Sequence, residues 1–179
     1  MNQRRKRIIA ISGSIRNNST NESILKVIAN LYKEDLDIQI YDQIATLPYF
    51  NPDTDDAHIS PNVKHFRGLI EQADGVIICT PEYVFSLPGA LKNAIEWCVS
   101  TTVFSKKPTA LIVASASGEK AFESLLLIMK TLEVDLGTDS ALLIRGIRSK
   151  LNAQEEISDK DTFKEIEKLM NSFIKTLPG

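Results

Sequence analysis

The sequence predicts an α/β fold: a doubly wound three-layer sandwich around a five-stranded parallel sheet in the order 2-1-3-4-5. Three observations predict it. Strand-like and helix-like segments alternate five times along the 179 residues, and each connection is long enough for a right-handed crossover. Most strand-like segments are short unbroken runs of Ile, Val, Leu and Ala, the pattern of strands covered on both faces. Three of these runs open into hydroxyl-rich loops, at the end of the sheet where this topology binds ligands.

The elements follow in order. Ile8–Ile11 is the first strand, with a basic lead-in at Arg4-Arg5-Lys6-Arg7. Its apolar run breaks after four residues at Ser12-Gly13, too short for the core of a signal peptide. Ser19 and Glu22 have the spacing of a capping box, and Ile24, Leu25, Val27, Ile28 and Leu31 recur behind them at helical period. Asp37–Asp42 alternates like a partly exposed second strand. Residues 43–61 form a long polar loop with Pro48, Pro52 and Pro61, of a length that is often functional. Its Tyr49 and Phe50 either cover a ligand, meet a partner subunit or pack beneath the loop. Asp53, Asp55 and Asp56 read as a solvated acidic loop, because the glycine and twelfth-position Glu of a calcium loop are missing. His58 and His65 stand alone and are assigned no chemistry.

A helix runs from Ser60-Pro61 through Gln72, and Gly75–Cys79 is a third, buried strand that delivers the Thr80–Ser86 loop. Ser86 is placed to cap the next helix, with Pro88 in its first turn. Gly89, Ala90 and Ala94 give that helix a narrow face, for close packing on the sheet or for a subunit contact. Thr109–Ala114 is the fourth strand, Ser115–Gly118 its loop, Phe122–Glu133 a helix and Ala141–Ile144 the fifth strand. The tail, Glu155–Leu177, reads as an amphipathic helix with Ile166, Leu169, Met170 and Phe173 facing inward.

Composition bounds the function. Apolar residues at 43% and charged residues at 25% describe an ordinary globule, expected to be a single domain over residues 1–179. A net charge of −2 points to neither nucleic acid nor a membrane surface, and no segment approaches the ~20 apolar residues of a membrane span. Cys79 and Cys98 form neither a disulfide framework nor a metal-ligand spacing, which fits inert core thiols in a reducing cytoplasm.

The candidate site begins at the first loop. Behind Ser12-Gly13-Ser14 stand Arg16, Asn18, Ser19, Thr20 and Asn21, at the start of a helix. Helix N-termini present unpaired N–H groups and a positive dipole end. Hydroxyls plus one guanidinium suit a terminal phosphate dianion, whereas a dinucleotide pyrophosphate needs the G-x-G-x-x-G approach that is missing here.

Those residues carry a resemblance. Gly13-Ser14-Ile15-Arg16-Asn17-Asn18-Ser19-Thr20-Asn21 resembles the G-S-x-R-x-x-S-x-N signature of the NADPH-dependent FMN reductase family, whose fold is flavodoxin-like. Residues 81–97, from Pro81-Glu82-Tyr83-Val84-Phe85-Ser86 to Trp97, resemble that family's P-E-Y-N-x-S-x-P-G-x-L-K-N-A-x-D-W segment. The resemblance covers roughly residues 7–145. It implies FMN as cofactor and NADPH or NADH as co-substrate. The phosphate would lie on Ser14, Arg16, Ser19, Thr20 and Asn21, and the ring over Pro81, Glu82, Tyr83, Val84 and Ser86. Backbone N–H groups around Ser115, Ser117 and Gly118 would meet the N1/O2 edge of the ring. It also implies a homodimer or homotetramer and a small electron acceptor: a quinone, an azo compound, a metal oxyanion or free flavin. Two departures stand out: Val84 replaces the usual Asn, and the Ser115–Lys120 loop lacks the usual run of glycines.

No Ser-His-Asp set, Cys-His pair or metal cluster is visible, as expected where a cofactor carries the chemistry. Two alternatives use the same cradle. One is a flavodoxin-like electron carrier, against which Arg16 and the mild net charge argue. The other is a non-catalytic module that binds a different phosphorylated ligand, a reading that Val84 keeps open.

Overall fold

The computed structural model describes residues 4–55, 59–152, 154 and 156–179. Five parallel strands, β1 (Lys6–Ser12), β2 (Leu36–Tyr41), β3 (Gly75–Thr80), β4 (Thr109–Ser115) and β5 (Ala141–Arg145), form one sheet in the order 2-1-3-4-5. Helices α1 (Thr20–Leu31), α2 (Pro61–Gln72), α3 (Gly89–Glu96), α4 (Glu119–Thr131) and α5 (Lys160–Thr176) cover it. The expected flavodoxin-like topology is therefore the observed one.

Two apolar cores explain the unbroken strand runs. Ile9, Ile11, Val76, Ile78, Leu111 and Val113 face α2, α3 and α4. Their alternates Ile8, Ala10, Ile77, Cys79, Ala110 and Ile112 face α1 and α5, through Ile24, Leu25, Ile28, Ile166, Leu169, Met170 and Phe173. Successive side chains of a strand point to opposite faces, so a strand with two cores needs an apolar residue at every position. All six residues of β3 are buried, whereas edge strand β2 alternates. Cys79 and Cys98 are buried and free, and burial pushes both thiols up, Cys98 to about 12, so neither is a thiolate at neutral pH.

Several boundaries differ from the sequence expectation, each for a local reason. α5 begins at Lys160 rather than near Glu155, which lies outside the described residues. Asp159 caps it by accepting from the Thr162 N–H at 2.9 Å, while Asn152 Oδ1 accepts from the N–H groups of Gln154 and Glu156 and holds a turn just before it. α3 begins at Gly89 after Pro88, with no side-chain cap, so Ser86 does not cap it. Gly89 has open space where a Cβ would stand, so within the chain the close-packed face belongs to the fully buried Ala94.

The 43–61 loop is anchored from α3. Asn93 accepts from the Phe50 N–H at 2.7 Å and donates to the Pro48 carbonyl at 3.0 Å, and Trp97 Nε1 donates to the same carbonyl at 2.7 Å. Phe50 packs edge-on against Trp97 with ring centroids 5.1 Å apart, while Tyr49 projects 93% exposed. Asp55 corrects the expectation of a solvated acidic loop: it pairs with Arg67 at 2.9 Å, accepts from Ser100, and its side chain is 7% exposed. Asp56 and His58 lie outside the described residues. Among the described residues no group of three or more His, Cys, Asp or Glu side chains could hold a metal ion, and no helix is long and apolar enough to cross a membrane.

Candidate functional site

The carboxyl ends of β1, β3, β4 and β5 surround a cavity of about 530 Å³. Its floor is the β1–α1 loop. Gly13 leads the chain across β3, its N–H donating to the Cys79 carbonyl at 2.8 Å. A Cβ there would stand 2.3 Å from Thr80 Oγ1 and 2.9 Å from Leu91, so the crossing needs a residue without a side chain. Asn18 then adopts φ 54°, a left-handed turn that asparagine tolerates, and brings Ser19 to the helix start. Ser19 Oγ accepts from the Glu22 N–H at 3.1 Å, while the Glu22 carboxylate pairs with Lys26 at 2.6 Å. One half of the expected capping box thus forms the helix cap. The first-turn N–H groups of Thr20 and Asn21 have no acceptor inside the helix.

The side chains of this loop divide into braces and donors. The buried Asn21 donates to the Ala114 carbonyl at 3.4 Å and accepts from Cys79 Sγ at 3.3 Å, which ties α1 to the ends of β3 and β4. Ser14 Oγ accepts from the Arg16 N–H at 3.3 Å, which leaves its hydroxyl proton free to donate. Arg16 is exposed at the cavity, and no acidic side chain pairs with its guanidinium among the described residues.

The second wall is Pro81, Glu82 and Tyr83, after β3. Glu82 holds the site together. Its two carboxylate oxygens accept from the Gly118 N–H at 3.3 Å and the Ala121 N–H at 2.9 Å, the first turn of α4. Gly118 is the N-cap residue of that helix at φ 101°, with no side chain to supply a cap, so Glu82 acts as one from another loop. This start places α4 three residues before the expected Phe122. It also commits the Gly118 N–H, which sequence reasoning had offered to a ligand.

Beyond Tyr83 the chain makes a two-residue turn. Tyr83 and Ser86 exchange backbone hydrogen bonds at 3.0 and 3.1 Å around Val84 and Phe85, which have φ values of 50° and 56°. Positive φ at both central residues is the type I′ pattern, favoured by Asn and Gly. A β-branched residue there is strained, by about 1–2 kcal/mol. Val84 is 94% exposed and Phe85 79%, and neither Val84 nor Ser86 lines the cavity. Val84→Asn should therefore stabilise the fold by about 1 kcal/mol, or ~2–4 °C in Tm for a chain of this size. A thermal melt in which the variant unfolds at or below the parent temperature contradicts the strain assignment.

The third wall, Ala114 to Ala116, brings Ser115 to the cavity, whereas Ser117 and Gly118 do not line it and Gly118 is the N-cap of α4. A fourth wall was not anticipated. Gly146, Ile147, Arg148 and Ser149, after β5, also line the cavity. The Gly146 N–H donates to the Ala116 carbonyl at 3.2 Å, and Gly146 takes φ 61°. The available signal was a Gly-Ile-Arg-Ser loop at the carboxyl end of a strand, close in composition to Gly13-Ser14-Ile15-Arg16.

Comparison with known proteins finds similar chains and a similar fold. The profile of a family described as NADPH-dependent FMN reductase matches residues 6–138. An NAD(P)H-dependent FMN reductase of Pseudomonas aeruginosa is 38% identical over 112 residues, 62% of this chain and 60% of that protein. A 2-hydroxy-1,4-benzoquinone reductase of a Burkholderia species is 32% identical over 93% of both chains. Among solved structures, the flavoenzyme NAD(P)H:(acceptor) oxidoreductase FerB of Paracoccus denitrificans superposes with a TM-score of 0.76 at 25% identity, over 95% of this chain and 96% of that one.

Proposed function

The chain belongs to the NADPH-dependent FMN reductase family, and from that premise we propose that it uses FMN held in the β-end cavity to pass electrons from NADPH or NADH to a small acceptor. The observation that carries this reading is the donor set of the first loop opening into the cavity. Ser14, Ser19, Thr20 and Arg16, with the first-turn N–H groups of α1, are the chemistry a phosphate monoester dianion requires. Pro81, Tyr83, Ala114, Ala116 and Ile147 supply apolar surface beside it for a flat ring, and ~530 Å³ lies within the usual range for a cofactor site. The residues present therefore fit FMN.

Bound FMN supplies the hydride-accepting and hydride-donating ring, a capacity the chain's own side chains lack. The protein's part is to hold, orient and shield. The first loop anchors one end of the cofactor. Pro81 and Tyr83 would hold the other end, and the Glu82 bridge ties the second loop to the third. Donor and acceptor would use this partly open cavity in turn, a ping-pong sequence. The Burkholderia relative supports a quinone as acceptor. The spectrum of the purified protein loaded with FMN, before and after anaerobic NADPH or NADH, tests the reading. Loss of the yellow colour on adding the nucleotide is the expected result. A bound but unresponsive flavin indicates a carrier, and failure to take up FMN indicates a different binder.

The assembly proposed is a homodimer or a dimer of dimers. Val84 and Phe85, next to the cavity wall, and Tyr49, on the loop anchored to Asn93 and Trp97, expose large apolar surface that a second subunit would cover. Light scattering at micromolar concentration should give about twice 19.9 kDa or a higher multiple, and a mass at 19.9 kDa contradicts the proposal.

A further inference from the structure

The end of β5 and the loop after it carry three cations within six residues, Arg145, Arg148 and Lys150, and the fold treats them differently. Arg145 pairs with Glu119 at 2.6 Å. Lys150 donates to Thr162 at 2.8 Å and lies 3.6 Å from Asp159. Arg148 has no acidic partner among the described residues, and of the three it alone lines the cavity. Its position is held by backbone, not by its own side chain. Gly146 bends the chain at φ 61°, its N–H is tied to Ala116, and its carbonyl accepts from both the N–H and the hydroxyl of Ser149, at 3.0 and 2.9 Å.

The cavity is therefore lined by two uncommitted guanidiniums, Arg16 and Arg148, and by one carboxylate, Glu82, both of whose oxygens are already engaged by N–H groups. Among the described residues that line the cavity, two guanidiniums outnumber one carboxylate, so the site carries a net positive charge. Guanidiniums facing a cavity suit an anion that accepts several directed hydrogen bonds, and a phosphate monoester dianion does so with three oxygens.

We propose that Arg148 is the second cation of this cavity and recognises a phosphate monoester there. The inference rests on the reading of the site as a flavin and nicotinamide cavity. Two ligands of that reaction carry such a group: the 5′-phosphate of FMN and the 2′-phosphate that distinguishes NADPH from NADH.

Arg148 is exposed, and the backbone of its loop holds itself, so Arg148→Ala should fold normally. FMN and riboflavin are titrated against parent and variant by flavin fluorescence quenching, and NADP⁺ and NAD⁺ against the FMN-loaded forms by calorimetry. If the flavin phosphate is the partner, the preference for FMN over riboflavin falls by roughly 10- to 150-fold, the loss expected of one charge-assisted contact. If the nucleotide phosphate is the partner, the preference for NADP⁺ over NAD⁺ falls by a similar factor and the flavin preference stays. Arg148→Lys should restore part of whichever preference is lost, since it keeps the charge but not the two-pronged geometry. Unchanged preferences in both pairs, or equal losses for ligands with and without the phosphate, overturn the assignment of Arg148 alone. A parent protein that takes up no flavin overturns the reading of the site, and the inference with it.

Discussion

Glu82→Ala should lower stability by about 2 kcal/mol, or ~4–8 °C in Tm, although Glu82 belongs to no helix or strand of the core. Two hydrogen bonds to a charged acceptor are lost at once, from the Gly118 and Ala121 N–H groups. Bonds to charged groups contribute ~1.5–3 kcal/mol each when buried. Glu82 is only half-buried, and water can reach the freed N–H groups, so the sum is discounted to one such bond. Removing the negative charge also exposes the dipole of α4. Glu82→Gln should recover part of the loss, because an amide oxygen can replace one carboxylate oxygen while its NH₂ faces the second donor. Hydrogen exchange localises the effect: amides in the first turn of α4 should exchange faster in Glu82→Ala, and those of α1 should not. Uniform acceleration across the sheet would mean that Glu82 supports the core and not the loop pair.

This bridge shows where sequence reasoning stops. The strand order, the two-sided burial of the inner strands and the Ser19 cap were legible because each rests on a pattern with a fixed period or spacing, such as Ile8–Ile11 or Ser19 with Glu22. The cluster of donors on the first loop was legible because these residues are contiguous in the chain, and they do line the cavity. Contacts between loops leave no such trace. Nothing in Pro81-Glu82-Tyr83 says that the carboxylate caps a helix thirty-odd residues away, nor that this takes the Gly118 N–H from any ligand. Asp55 likewise looked solvated until Arg67 and Ser100 met it from α2 and the segment after α3. Ser86 satisfied the composition of a cap, but the Val84–Phe85 turn spent its backbone on Tyr83 instead. Val84 was visible as an anomaly of residue type, and its positive φ is the physical meaning of that anomaly. The loop at Gly146–Ser149 was missed because the motifs end before it, although the topology points to the carboxyl end of every inner strand and its neighbours.

Arg16→Ala should weaken FMN by roughly 10- to 150-fold, the equivalent of ~1.5–3 kcal/mol for one charge-assisted hydrogen-bonded contact to a dianion. The fold should survive, because Arg16 is exposed and its backbone N–H, not its side chain, makes the loop contact to Ser14. Raising salt should erode the parent's preference for FMN, since an exposed guanidinium is screened over a distance of ~10 Å at 0.1 M ionic strength. Riboflavin carries the same ring without the phosphate, so its affinity should barely change in the variant. Titration of FMN and riboflavin against the parent and Arg16→Ala by fluorescence quenching therefore isolates the phosphate term from the ring. A parent that favours FMN, with that preference shrinking in the variant, is the result predicted for a phosphate cradle at the start of α1. An equal loss for both flavins, or no loss for either, contradicts it.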